Sequence, residues 1–80
     1  MKGGEIVEKK IEKRIKLKQF RISLDMSQEQ FADALEISRS QYAAIENGQR
    51  YGTLKFWNRL QSKYNLPKSD VFDMMTEIEF

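Results

Sequence analysis

The chain has 80 residues, 14 Lys/Arg against 12 Asp/Glu for a net charge of +2, one proline, and neither cysteine nor histidine. Disulfides, thiolate or imidazole metal sites, and any histidine base or triad are therefore excluded, and no cofactor is expected. No stretch approaches the ~18 apolar residues of a membrane span, and the N-terminus alternates charges where a signal peptide would be apolar, so a small cytoplasmic domain is expected, stabilised by helix packing or by a partner subunit.

The charge is unevenly spread. Residues 1–26 carry eight Lys/Arg against four Asp/Glu, residues 27–80 carry six against eight, and residues 69–80 hold four acids and no base. The plain reading is a set of solvated helix faces. The sharper one is a face for a polyanion at one end and a face kept off it at the other.

In chain order, Met1–Val7 contains Gly3-Gly4 and is expected to be flexible, with residues 8–80 forming one domain. A first helix is predicted over 8–24, where Ile11, Ile15, Leu17, Phe20 and Leu24 recur at helical spacing and Glu12 and Lys16 form an i,i+4 pair. Ser27 is an N-cap, and Ser27-Gln28-Glu29-Gln30 reads as a capping box, with Met26 and Phe31 placed for a hydrophobic staple. That second helix runs to about Leu35. Ser38 caps a third, Arg39–Glu46, which Asn47-Gly48 closes with residues that tolerate positive φ. Thr53 caps a fourth over 54–64, with Leu54, Trp57, Leu60 and Tyr64 on one stripe, ended by Asn65-Leu66-Pro67. A last helix starts near Ser69 and carries Val71, Phe72, Met75 and Ile78. The fold class expected is all-α, a five-helix bundle.

The short second and third helices are joined by a tight turn, which forces a steep crossing and a close approach of their axes. Ala32 supplies the small residue this needs; Phe31, Leu35, Tyr42 and Ile45 point inward, and Ile37 plugs the turn. Arg39, Ser40, Gln41, Ala43 and Ala44 then face out, on the side able to enter a major groove. Phe20, Phe56, Trp57 and Tyr64 sit at the spacing of a buried stripe and are read as core, not as stacking platforms for bases.

Gln28, Phe31-Ala32, Leu35, Ile37-Ser38 and Ile45-Glu46-Asn47-Gly48 resemble the helix-turn-helix of the phage-repressor family, the Cro/repressor or xenobiotic-response-element type. Leu17, Phe20 and Arg21 upstream, and Thr53-Leu54, Phe56-Trp57, Leu60 and Leu66-Pro67 downstream, extend the likeness over residues 11–72. One position departs from it. The family usually carries glycine in the turn, where the backbone is left-handed; here Glu36 stands, at a strain of about 1 kcal/mol.

The resemblance implies double-stranded DNA as partner and assigns roles. Gln28, at a helix start that favours anions, is expected on a phosphate, its alternative being a polar first-turn residue. Arg39 is the expected base-reader, since arginine bonds guanine O6 and N7 together, its alternative being a phosphate contact. Ser40 follows as a weakly specifying base contact and Gln41 as a backbone or base-edge contact, and Ala44 offers a thymine-methyl contact or leaves room. Ser38, Asn47, Arg50, Tyr51, Thr53 and Lys55 form the expected phosphate clamp, which positions without specifying; Gly48 is a helix stop, and Arg50 and Lys55 are otherwise surface charges. Arg21 and Glu46 are expected to form a structural ion pair. The apolar tail residues Val71, Phe72, Met74, Met75, Ile78 and Phe80 exceed what one small core hides. Val71, Phe72, Met75 and Ile78 are the candidates for a homodimer patch. Two functions fit: a transcriptional regulator of the phage or mobile-element repressor kind, or a protein-interaction module such as an antitoxin or adaptor. No enzyme, membrane association or small-molecule effector is expected.

Overall fold

Residues 13–77 are described by a computed structural model. Among them the regular structure is entirely helical: α1 (Ile15–Ser23), α2 (Gln28–Ala34), α3 (Arg39–Glu46), α4 (Leu54–Tyr64) and α5 (Lys68–Thr76). Side-chain caps set three of the starts. Ser27 Oγ accepts the Gln30 amide at 3.1 Å while Gln30 Oε1 accepts the Ser27 amide at 2.9 Å, the reciprocal box that the spacing predicts. Ser38 and Gln41 repeat the device at α3, at 3.1 Å in each direction. Thr53 Oγ1 accepts the Phe56 amide at the head of α4.

The first four helices end alike. The amides of Met26, Ile37, Gln49 and Leu66 reach back to the carbonyls of Arg21, Ala32, Ala44 and Gln61 at 2.9 to 3.4 Å. The residue before each donor is left-handed: Asp25 at φ 59°, Glu36 at 63°, Gly48 at 80° and Asn65 at 53°. This six-to-one closure satisfies carbonyls that the helix itself leaves without donors. The left-handed Glu36 is thus a requirement of the α2 ending, and the next residue, Ile37, packs against the core as the plug of the turn.

α1 is shorter than predicted. It begins at Ile15, because Arg14 leaves the helical path at ψ 82°, donates its amide to the Glu46 carbonyl at 2.9 Å, and sends its side chain inward. Ile15 is consequently 42% exposed and off the core stripe on which its spacing put it. Residues 1–12, with the expected flexible Met1–Val7 and Glu12 of the Glu12–Lys16 pair, lie outside the described residues, as do Ile78 and Phe80.

α2 packs across α3, α1 lies against α3 and α5, and α4 against α5. The core they enclose is Leu17, Phe31, Ala32, Leu35, Tyr42, Ile45, Phe56, Trp57, Leu60, Val71 and Met74. Through it runs a chain of edge-on and tilted rings, Trp57–Phe56–Tyr42–Phe31–Phe20, with centroids 4.8 to 6.3 Å apart and Tyr64 stacked on Phe31. Edge-to-face pairs of this kind add roughly 0.5–1.5 kcal/mol each beyond their buried area. All the aromatics read as core therefore lie in or against it.

Candidate functional site

The orientation of α3 is fixed from below by one carboxylate. Glu46, in its last turn, is only 4% exposed. It receives Arg21 Nε at 2.9 Å and Nη2 at 3.3 Å, Gln28 Nε2 at 3.0 Å, and the Tyr42 hydroxyl. Arg21 also donates to the Met26 carbonyl at 2.8 Å, which ties the α1–α2 connection into the same group. Three helices therefore converge on Glu46 with four donated bonds, and the desolvated charge is offset. Burial pushes its carboxyl up, but the bonds from Arg21, Tyr42 and Gln28 outweigh that and hold it below the usual carboxylate range. Burial, followed by the adjacent Glu46 carboxylate, raises the Tyr42 phenol above its ordinary value.

With its inner face held, α3 presents Arg39, Ser40 and Gln41 at its exposed N-terminal end. Among the described residues nothing hydrogen-bonds the Arg39 guanidinium, so its fork is available to an outside acceptor. Ser40 Oγ lies 3.3 Å from Ser38 Oγ. Gln41 is less free, since its amide oxygen is engaged by Ser38, and its amide nitrogen is the part left for contact. Ala43 and Ala44 are half-buried; the chain after α3 folds back so that the amides of Gln49 and Arg50 reach the Ala44 carbonyl at 2.9 and 3.2 Å.

That returning segment carries Asn47, Arg50, Tyr51, Thr53 and Lys55 on one exposed stretch, Tyr51 with 73% of its surface open. Thr53 and Ser38 each spend a side-chain oxygen on capping. The Leu54 and Lys55 amides, by their place in the first turn of α4, have no acceptor within the helix. Gln28 stands at the head of α2 with its side-chain amide turned onto Glu46, and its backbone amide, in the first turn, has no acceptor within the helix.

The tail divides differently from the expected dimer patch. Val71 and Met74 are buried and Met75 packs on the core, so Val71 and Met75 serve the protomer's own interior. Phe72, 59% exposed, keeps an open apolar side chain.

Three positions with a clear part in this site are not marked by any pattern in the sequence. Gly52 has φ 80°, and a Cβ there would sit 3.0 Å from Trp57 Nε1 and 3.3 Å from Ile45 Cδ1; its place among the residues expected to form the clamp is the one hint. Arg59 reaches from α4 to the Leu35 carbonyl at 3.3 Å and the Glu36 carboxylate at 3.6 Å, bracing the left-handed turn. Arg14 is fully buried, though it stands in a run of lysines that reads as a solvated face.

Comparison with known families gives a match to the helix-turn-helix model over residues 17–70, from Leu17 in α1 to the first turn of α5. No curated protein and no solved structure matches the chain. No helix among the described residues is long and apolar enough to cross a membrane, and no group of three or more acidic, histidine or cysteine side chains there could hold a metal ion.

Proposed function

The chain belongs to the helix-turn-helix family, a family of DNA-binding regulators and not of enzymes, and on that premise we propose that it is a sequence-specific transcriptional regulator of the phage or mobile-element repressor type. It acts in the cytoplasm as a homodimer and inserts α3 into the major groove. Arg39 reads a guanine, Ser40 and the Gln41 amide nitrogen add contacts, and Ala44 faces a thymine methyl or leaves room. Gln28 and the Asn47–Lys55 stretch with Ser38 grip phosphates on either side. Two subunits on a palindromic site would span half-sites about 34 Å apart.

The observation that carries this reading is the division of labour on α3. Its inner face is locked by four bonds at Glu46, while the Arg39 guanidinium at its opposite end is exposed and engaged by none of the described residues. A reading head needs that combination of fixed axis and free tip. The rival reading, a protein-interaction module that has kept the fold, draws its support from the acidic tail. Much of that acidity has a local use: Asp70 lies in the first turn of α5, where a negative charge suits the dipole, and Glu77 caps α1.

The test is retention of a random-sequence DNA duplex at low salt, followed by a salt titration. Affinity should fall steeply as salt rises, because neutralised phosphates release counterions. Absence of binding at low salt overturns the regulator reading in favour of the interaction module.

A further inference from the structure

Arg14 is a cation shielded from solvent, and the other buried charge among the described residues, Glu46, has its own partners. Its acceptors are main-chain carbonyls. Nη1 donates to Ile45 O at 2.6 Å and to Arg50 O at 2.8 Å; Nη2 and Nε donate to Met75 O at 3.1 and 3.3 Å. The Ile45 and Met75 carbonyls lie in the last turns of α3 and α5, where partial negative charge accumulates, so two helix ends compensate one guanidinium. The group also lies 5.5 Å from the Trp57 ring centroid and 6.0 Å from that of Tyr51, an added attraction for a desolvated cation.

The Arg50 carbonyl has a different significance. It belongs to the segment between α3 and α4 that bears Arg50 and Tyr51. The next carbonyl, Tyr51 O, is held by Trp57 Nε1 at 2.8 Å. Gly52 follows with its missing Cβ against Trp57 and Ile45. Consecutive carbonyls are thus pinned inward by two side-chain donors, which leaves the side chains of Arg50 and Tyr51 outside. Only a rigid multi-donor fork reaches three carbonyls on three separate elements; a lysine ammonium is a point charge on a flexible stem and does not reproduce it.

We infer that Arg14 is a positioning residue for DNA binding: by clamping the Arg50 carbonyl to the ends of α3 and α5, it holds the α3–α4 segment in the shape that lets Arg50 and Tyr51 grip phosphate. The inference rests on the proposed DNA-binding function. It also makes the residue before α1 a determinant of affinity, although that residue touches no DNA.

Two readouts test it on the full chain. Amide exchange without DNA should show residues 48–53 losing protection in Arg14→Lys while the α2 and α4 amides keep theirs. Binding to a random-sequence duplex should weaken, and the slope of log affinity against log salt should become shallower by about 0.9 for each phosphate no longer gripped. Arg50→Ala, which frees one phosphate in the parent, should then change little in the Arg14→Lys background, a non-additivity that independent sites do not show. If Arg14→Lys does not fold, Trp57→Phe, which frees the neighbouring carbonyl and keeps an aromatic ring, carries the same comparison. A parent-like salt slope with a loosened segment, or additive effects of the Arg14 and Arg50 changes, overturns the positioning role while the DNA-binding function stands. Failure of the parent itself to bind DNA removes the function and this inference with it.

Discussion

At the scale of single residues, two glutamates stand in unusual places. Glu46 is a buried carboxylate with four donated bonds. Glu46→Ala would leave Arg21 without its counter-charge in the interior, a destabilisation of about 3–5 kcal/mol. Urea unfolding should register it, and DNA binding should weaken in parallel; abolished binding with unchanged unfolding would contradict the structural role. The same group gives a pH signature. Its folded-state value is depressed, so the stabilisation is complete above the unfolded carboxyl value of about 4.3 and is lost as pH falls through the lower folded value. Glu46→Gln should therefore be less stable than the parent near neutrality, and the difference should shrink in acid. Glu36 sits at φ 63° because the α2 ending demands a left-handed residue. Glu36→Gly should unfold within about 1 kcal/mol of the parent, as relief of strain is set against a more flexible unfolded chain. Glu36→Val, a β-branched residue at that φ, should be less stable by about 1–2 kcal/mol. Equal stability of the two variants would mean that the turn is not left-handed. The family resemblance pointed to both glutamates, one in the turn and one at the end of α3. Pattern could not locate Arg14, whose acceptors lie 31, 36 and 61 positions away.

At the scale of elements, the helix starts at α2, α3 and α4 were legible because each is encoded within four residues as a Ser or Thr cap. The start of α1 was not. It has no side-chain cap of its own, and the carboxylate of Glu77 accepts the Lys16 amide at 2.6 Å from the far end of the chain. Glu77→Ala should cost about 1 kcal/mol, a typical value for removing an N-terminal cap, and should raise amide exchange at the head of α1 while the first turn of α2 is unchanged. Faster exchange everywhere, or nowhere, would contradict this cross-helix cap. For α5, apolar spacing identified a helix but not which way each residue turns, since too many apolar side chains crowd it for one stripe. Its Val71 and Met74 complete the core, and Phe72 remains outside. If Phe72 seats a second subunit, Phe72→Glu should convert a dimer in sedimentation to a monomer with little change in unfolding. A variant that sediments as the parent does would remove Phe72 from any subunit contact.

At the scale of the whole molecule, the all-α architecture and the helix-turn-helix followed from periodicity, capping residues and the resemblance, and the family match covers residues 17–70. What pattern could not supply is how α1 begins. Among the described residues, Arg14 and Glu77 join the start of α1 to the ends of α3 and α5. The proposed reading helix α3 is thereby tied to the core, with the Arg39 guanidinium exposed at its other end and bonded by none of the described residues. That role is measured most directly by the base preference of the parent and of Arg39→Ala, each selected from a random duplex pool at the same salt. With Arg39 on a guanine, the variant should lose discrimination at one position per half-site, by about 1–3 kcal/mol, and keep the rest of its profile. An unchanged profile with uniformly weaker binding would make Arg39 a phosphate contact and would contradict the assignment of α3 as the reading helix through that residue.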